Sequence, residues 1–137
     1  IRKDAALLLE HCAEMLPENG LFILEAHTYD AVRAMGEAPA TWQRHATGLF
    51  SAGPHLCLRE NSWNAAEASA LSRYFIIDAA DATVRQYASF MQAYRLESYT
   101  KMLSSAALPL QRILSENVWN SGQDFYDKLQ TFICRKI

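Results

Sequence analysis

Glu25, His27, Thr28 and Tyr29 stand at the far end of an apolar run, Leu21-Phe-Ile-Leu. A carboxylate and an imidazole at such a place can orient a nucleophile or take its proton. The plainer reading is a polar strand end whose groups are satisfied by nearby backbone. A second group, His55, Glu60 and Trp63, lies about thirty residues further on. An indole beside a carboxylate suits a cationic or amine-bearing ligand, although most such tryptophans simply pack. Arg73 alternates with apolar neighbours. It meets an anionic group if it points inward, and blunts a sheet edge if it points outward. Tyr74, Tyr87 and Tyr94 read as sheet residues, and Met91 and Met102 as core filler. The four histidines, His11, His27, His45 and His55, never fall at i, i+4 spacing with a glutamate between them, so the sequence supports no metal site. Ser51 and Ser104-Ser105 lack a Gly-x-Ser-x-Gly context, which leaves hydrolase chemistry without an anchor.

The elements that must position these residues follow from periodicity. Ala5, Leu8, Leu9, Cys12 and Leu16 recur at helical spacing, opposite Lys3, Asp4, Glu10, Glu14 and Glu18. Pro17 and Asn19-Gly20 stop that helix, with glycine expected to take the left-handed closing conformation. Leu21 to Ala26 has strand length and is apolar throughout, as strands covered on both faces of a parallel sheet are. Ligands of open α/β sheets sit beyond the carboxyl ends of the strands, where Glu25, His27 and Tyr29 fall. Asp30 is placed to cap a short helix over 31–35. The rest of 30–54 reads as a long loop carrying Trp42 and Phe50, of the kind that forms lids or binding segments. Segments 55–63, 68–78 and 83–94 read as a β-meander with short connectors. A helix is expected over 97–106, and two last strands over 110–119 and 128–136, joined through Gly122.

The bulk composition is that of a globular domain: half the residues are hydrophobic and a fifth charged. A net charge of -2 gives no electrostatic reason to bind nucleic acid or an anionic membrane. No apolar run reaches the roughly 18 residues of a membrane helix. Cys12, Cys57 and Cys134 are odd in number and far apart, which points to buried thiols and a cytoplasmic setting. The chain opens on Ile1, already inside a helical pattern. A helix feeding a buried strand is half of a βαβ unit, so the sequence reads as a domain or domain fragment: helix and core strand in 1–30, lid in 31–54, meander in 55–94, final helix and strands in 95–137.

The ordered series "LLLEHCAEMLPENGLFILEAHT", "FSAGPHLCLRENSW", "SRYFIID", "VRQYASFMQAY", "RLESYTKMLSSAAL" and "FYDKLQTFICRKI" resembles the C-terminal half of class I S-adenosylmethionine-dependent methyltransferases, in a bacterial small-molecule branch. Asn19 stands where the family often has glycine. Ala107-Leu108 stands where it usually turns with Gly-Phe. The resemblance implies an α/β fold: the late part of a Rossmann-like sheet with an inserted antiparallel meander, α+β in isolation. It further implies S-adenosylmethionine as cofactor and a small-molecule methyl acceptor, with no nucleic-acid or membrane partner. His27 and Glu25 become the expected catalytic pair, and Tyr29, His55, Glu60, Trp63 and Arg73 the acceptor-binding set. Such enzymes hold the cofactor with a glycine-rich loop after the first strand. No such loop occurs in this chain. The main cofactor site is thus expected upstream, the chain alone is expected to be inactive, and one sheet edge is expected to stay unpaired and open to association. The alternative is a non-enzymatic α+β binding or interaction module. The two differ in one pairing: the methyltransferase reading sets Leu21–Ala26 beside a C-terminal strand, the module sets it against the meander.

Overall fold

A computed structural model of the chain describes residues 2–114 and 129–137. Its elements run α1 (Arg2–Met15), β1 (Leu21–His27), α2 (Tyr29–Glu37), β2 (Thr41–His45), β3 (His55–Asn64), β4 (Ser69–Asp78), β5 (Val84–Gln92), α3 (Leu96–Ser105), β6 (Leu110–Leu114) and β7 (Leu129–Arg135). They fall into two compact units, residues 1–31 with 92–137, and residues 32–91. The expected continuation of β6 to Trp119 and the Gly122 connector lie outside the described residues.

In the first unit the sheet order is β1-β7-β6. β1 pairs antiparallel with β7 along its whole length, from Leu21 opposite Arg135 to His27 opposite Leu129. The strand therefore sits beside a C-terminal strand and does not join the meander. Alternate residues of β1 face opposite ways. Phe22, Leu24 and Ala26 pack against a core of Leu9 and Ala13 from α1, Tyr99 and Leu103 from α3, Leu108, and Phe132 and Cys134 from β7. Leu103, Leu108 and Phe132 are completely buried; each such side chain contributes about 1.5–3 kcal/mol of apolar burial. Leu21 and Ile23 point the other way and remain 50% and 58% exposed. The expectation of a parallel strand covered on both faces is corrected here. A run apolar on both sides says nothing of what covers each side, and among the described residues the helices cover one.

The turn between α1 and β1 divides its labour between two residues. Asn19, with φ of 61°, takes the left-handed conformation expected of the glycine. Gly20 is needed for another reason: a Cβ there would lie 2.8 Å from the carbonyl oxygen of Pro17. The end of β7 closes over this turn. The Asn19 N–H donates to the Lys136 carbonyl at 3.1 Å, and the Lys136 N–H donates to that of Gly20 at 2.9 Å. The Lys136 ammonium donates to the Leu16 carbonyl and the Arg135 guanidinium to that of Asn19, each at 2.7 Å. The Lys136 ammonium thus meets a carbonyl just past the negative end of α1, where the macrodipole favours a cation, and the Arg135 guanidinium ties down the turn that follows.

The helix α3 ends in a Schellman arrangement. Leu108 N–H donates to the Leu103 carbonyl at 2.9 Å and Ala107 N–H to that of Ser104 at 3.2 Å. Ala107 holds φ of 58°, a left-handed conformation that costs an L-residue about 1–2 kcal/mol.

The second unit is a four-stranded sheet in the order β2-β3-β4-β5. β2 and β3 pair antiparallel, as do β3 and β4. The sequence reading places Trp42 in a loop; it lies on β2. That strand escapes pattern reading because Thr41, Trp42, Gln43 and Arg44 are all exposed, so no apolar alternation marks it. One sheet face, with Cys57, Ala70, Tyr74 and Ile76, lies under α2 and the β2–β3 connection. Gly36 permits close approach of α2, since a Cβ there would meet Ala70 Cβ at 3.0 Å and Trp63 Cβ at 3.1 Å. The helix also starts earlier than expected, and its cap is Thr28, whose Oγ1 accepts the Ala31 N–H at 3.1 Å. Asp30 is not the cap but lies in the first turn.

Two stability measurements test these ends. Ala107→Gly should raise the unfolding free energy by roughly 0.5–1 kcal/mol in urea titration, the relief of left-handed strain less the glycine's added unfolded-state entropy. Thr28→Ala should lower it by about 1 kcal/mol and Thr28→Ser should restore most of the loss, because the hydroxyl is what caps α2.

Candidate functional site

The carboxyl end of β1 gathers most of the polar chemistry of the first unit. Glu25 and His27 share the outward side of the strand, opposite Phe22, Leu24 and Ala26. Glu25 is exposed, and its backbone partner on β7 is Thr131. His27 is half-buried; its Nδ1 is sealed from solvent and has no hydrogen-bond partner among the described residues. A buried ring nitrogen left without a partner costs about 1–3 kcal/mol, so such an atom calls for an explanation. The His27 carbonyl accepts a long contact of 3.5 Å from the Tyr99 hydroxyl.

Tyr29 opens α2 directly after this strand end, and the Arg95 guanidinium lies 4.3 Å from its ring centroid. That is cation–π geometry. Tyr94 meets Tyr99 edge-on at 5.4 Å, and Tyr99 lies 4.9 Å from Phe132, so an aromatic row leads from the core to His27. Tyr94 falls beyond β5, which ends at Gln92, and is not the sheet residue the sequence suggests. Burial pushes the Tyr99 hydroxyl above its ordinary value of 10.0, with the neighbouring Tyr94 adding to the rise. Burial likewise raises the Cys134 thiol, which leaves it a poor nucleophile.

The other expected site residues lie in the second unit. His55 is 2% exposed, stacks on His45 at 5.2 Å between ring centroids, and has its Nδ1 2.9 Å from the Gly53 carbonyl oxygen. Glu60 and Arg73 form an ion pair at 2.9 Å, both largely exposed. Arg73 therefore follows the outward reading. Trp63 stands an odd number of residues from Glu60 on the same strand and so faces the other side of the sheet, against Gly36. The structure does not bring that indole and that carboxylate together.

Sequence reasoning missed two features. Arg95 and Tyr99 join His27 and Tyr29 from a stretch 66 or more residues away, and no local pattern could announce that. The second is a cavity of about 620 Å³ bounded by the hairpin tip Gly48–Ala52 and by Asp78, Thr83 and Arg85. Phe50 anchors the tip by lying 5.5 Å from the ring of Tyr74 and 5.2 Å from that of Tyr87. The Arg85 guanidinium stands 3.9 Å from the Asp78 carboxylate. Among the described residues no group of three His, Cys, Asp or Glu side chains is placed to hold a metal ion. No described helix is long and apolar enough to cross a membrane.

The raised Tyr99 hydroxyl has a consequence for stability. Its protonated form is favoured in the folded state, so its contribution is complete below the unfolded value near 10.0 and is lost as pH rises through the folded value. Unfolding curves should therefore show stability falling above about pH 10, and Tyr99→Phe should flatten that alkaline fall.

No family model matches the sequence, and comparison with curated proteins finds no relative. Solved structures do match. A S-adenosylmethionine-dependent methyltransferase from Clostridium acetobutylicum matches with a TM-score of 0.67 at 12% identity, covering 99% of this chain and 52% of that one. The CcbJ methyltransferase from Streptomyces caelestis matches with a TM-score of 0.68 at 10% identity, over 98% of this chain and 51% of that one. An amino pentose methyltransferase from Micromonospora echinaspora, solved with S-adenosylmethionine bound, matches with a TM-score of 0.57 at 11% identity, over 100% and 52%. This chain spans about half the length of each, and its resemblance to S-adenosylmethionine-dependent methyltransferases holds across the whole of that half as a likeness of fold.

Proposed function

We propose that this chain is the acceptor-side half of a S-adenosylmethionine-dependent methyltransferase acting on a small molecule. The observation that carries the reading is the pairing of β1 with β7 in a chain whose fold matches about half of such enzymes. In this reading the β1-β7-β6 sheet is the late part of a Rossmann-like sheet, and β2 to β5 form the inserted meander. The exposed face of Leu21 and Ile23 and the outer edge of β1 are then the surface on which a cofactor-binding half completes the sheet.

The residues of this chain do not by themselves fit the cofactor. Among the described residues no strand runs through a glycine-rich turn into a helix: Gly20 joins a helix to a strand, Gly36 lies inside α2, and Gly48 and Gly53 flank a hairpin tip. S-adenosylmethionine, held elsewhere, supplies the methyl group. The groups at the end of β1 are suited to the acceptor. His27 can accept a hydrogen bond from an acceptor hydroxyl or amine and hold it for in-line attack, taking a proton where the acceptor has one to lose. Glu25 lies on the same side of the strand, and Tyr29 with Arg95 offers a flat charged wall beside it. Of the other expected acceptor-binding residues, Tyr29 lies at this strand end; His55, Glu60, Trp63 and Arg73 lie in the second unit, where Glu60 and Arg73 already satisfy each other and Trp63 faces the other side of the sheet. Among the matched proteins are an amino pentose methyltransferase and a sugar N-methyltransferase, which favours an amine-bearing sugar as acceptor class.

The test is calorimetric and kinetic. Residues 1–137 alone should give no binding heat with S-adenosylmethionine, while a polypeptide that adds the preceding coded segment should bind it. In that longer protein His27→Ala should lower kcat by about 100-fold, in the range of a lost general base, and leave cofactor affinity unchanged. Tight cofactor binding by residues 1–137 would overturn the division of labour. Unchanged kcat in His27→Ala would remove the proposed role of His27.

A further inference from the structure

The hairpin between β2 and β3 and the turn between β4 and β5 meet at one end of the second unit's sheet. They bound the cavity of about 620 Å³, within the roughly 300–1,000 Å³ usual for small-ligand sites. Its walls are fixed in advance. The Ala79 N–H donates to the Pro54 carbonyl at 3.0 Å and ties the turn to the base of the hairpin. Within the hairpin the Gly48 N–H donates to the Ser51 carbonyl at 2.9 Å, and Phe50 packs on the rings of Tyr74 and Tyr87. Within the turn the Asp78 N–H donates to the Thr83 carbonyl at 3.0 Å, and the Ala80 N–H to Asp78 Oδ1 at 2.9 Å. Walls held in this way lose little freedom when a ligand enters.

The charges of the lining are only loosely paired. Arg85 stands 3.9 Å from Asp78, too far for a hydrogen bond, with side chains 46% and 24% exposed. A pair of that kind contributes little to stability, so a ligand enters it at small cost. The guanidinium keeps its forked donors for a carboxylate, and Asp78 Oδ2 stays open to a cation. Asp81, close enough to Arg85 to feel its charge, is already occupied. Its Oδ1 accepts the Thr83 N–H at 2.9 Å and the Thr83 hydroxyl at 2.8 Å, which leaves the Thr83 oxygen as an acceptor. Two carboxylates against one guanidinium disfavour a simple anion. The hairpin adds an apolar group, Leu49, which is 94% exposed at the tip.

We propose that this cavity binds a zwitterion of the α-amino-acid class with an uncharged, apolar side chain. Such a ligand carries its ammonium and carboxylate on one carbon, side by side like Asp78 and Arg85 but with the signs reversed. Its carboxylate takes the fork of Arg85, and its ammonium takes Asp78 Oδ2 and Thr83 Oγ1. Its side chain covers Leu49, which otherwise meets water. S-adenosylmethionine, with its sulfonium, is not a ligand of this class. Every residue invoked belongs to the second unit, and the inference does not depend on methyl transfer.

Amide NMR spectra of the isotope-labelled 137-residue chain, titrated with L-leucine, test it. The amides of Gly48, Phe50, Thr83 and Arg85 should shift and saturate with a dissociation constant of about 0.1–1 mM. Asp78→Asn and Arg85→Met should each weaken binding by roughly tenfold or more, with circular dichroism unchanged. Asparagine keeps an oxygen for the Ala80 N–H, so that variant removes the charge and spares the turn. Isocaproate, which lacks the ammonium, and isoamylamine, which lacks the carboxylate, should each bind roughly tenfold or more weakly than leucine. Glycine, which lacks the apolar side chain, should also bind more weakly. The ligand analogues carry the test even where a variant fails to fold. No saturable shift up to about 20 mM leucine overturns the inference, as that lies beyond the expected range. So does isocaproate or isoamylamine binding as tightly as leucine, binding that both charge variants leave intact, or shifts that fall outside the hairpin and the turn.

Discussion

The antiparallel pairing of β1 with β7 joins the two ends of the chain, and the first unit depends on it. More than a hundred residues separate the partners. Closing a loop of that length costs several kcal/mol of chain entropy, though the cost grows only slowly with length. The return is a seven-residue ladder, reinforced where Arg135 and Lys136 close over the carbonyls of Leu16, Asn19 and Gly20. With β1 held in that register, its alternate side chains are committed. Phe22, Leu24 and Ala26 must enter the core made by α1, α3 and β7, and Leu21, Ile23, Glu25 and His27 must face away from it. A shift by one residue would exchange the two sets.

The same alternation governs the second unit with a different outcome. There the sheet is long and each strand has its neighbour close in sequence, so local turns set the pairing. Asn64 shows how: its side-chain oxygen accepts the N–H groups of Ala66 and Glu67 and shapes the β3–β4 turn. Gly36 lets α2 lie close on one face, and Phe50 pins the hairpin against Tyr74 and Tyr87. The opposite face keeps its apolar groups in contact with solvent.

These arrangements bear on function in different ways. The carboxyl end of β1 is built of fixed parts: a strand end paired with β7, His27 opposite Leu129, a helix capped by Thr28, and an aromatic row running back to Phe132. His27 is held there with one ring nitrogen buried and no partner among the described residues. His55, by contrast, is stacked on His45 and tied to Gly53, and these contacts account for its position without a ligand.

The order of elements, the apolar strand, the meander and the two helix stripes were legible in the sequence because each is a matter of local periodicity. So was the likeness to methyltransferases, through an ordered series of segments, and with it His27 at a strand's carboxyl end. β2 was not legible, since its exposed residues carry no alternation; nor was the exchange of roles between Asn19 and Gly20, since either residue can take a left-handed turn. Local pattern also could not tell that Trp63 and Glu60 face apart, or that Arg95 and Tyr99 meet Tyr29 and His27. Which face of β1 is covered, and which of the C-terminal strands pairs with it, was decided only by tertiary structure. Periodicity records that a side chain avoids water, while the partner that shields it is set by contacts between residues far apart in the chain.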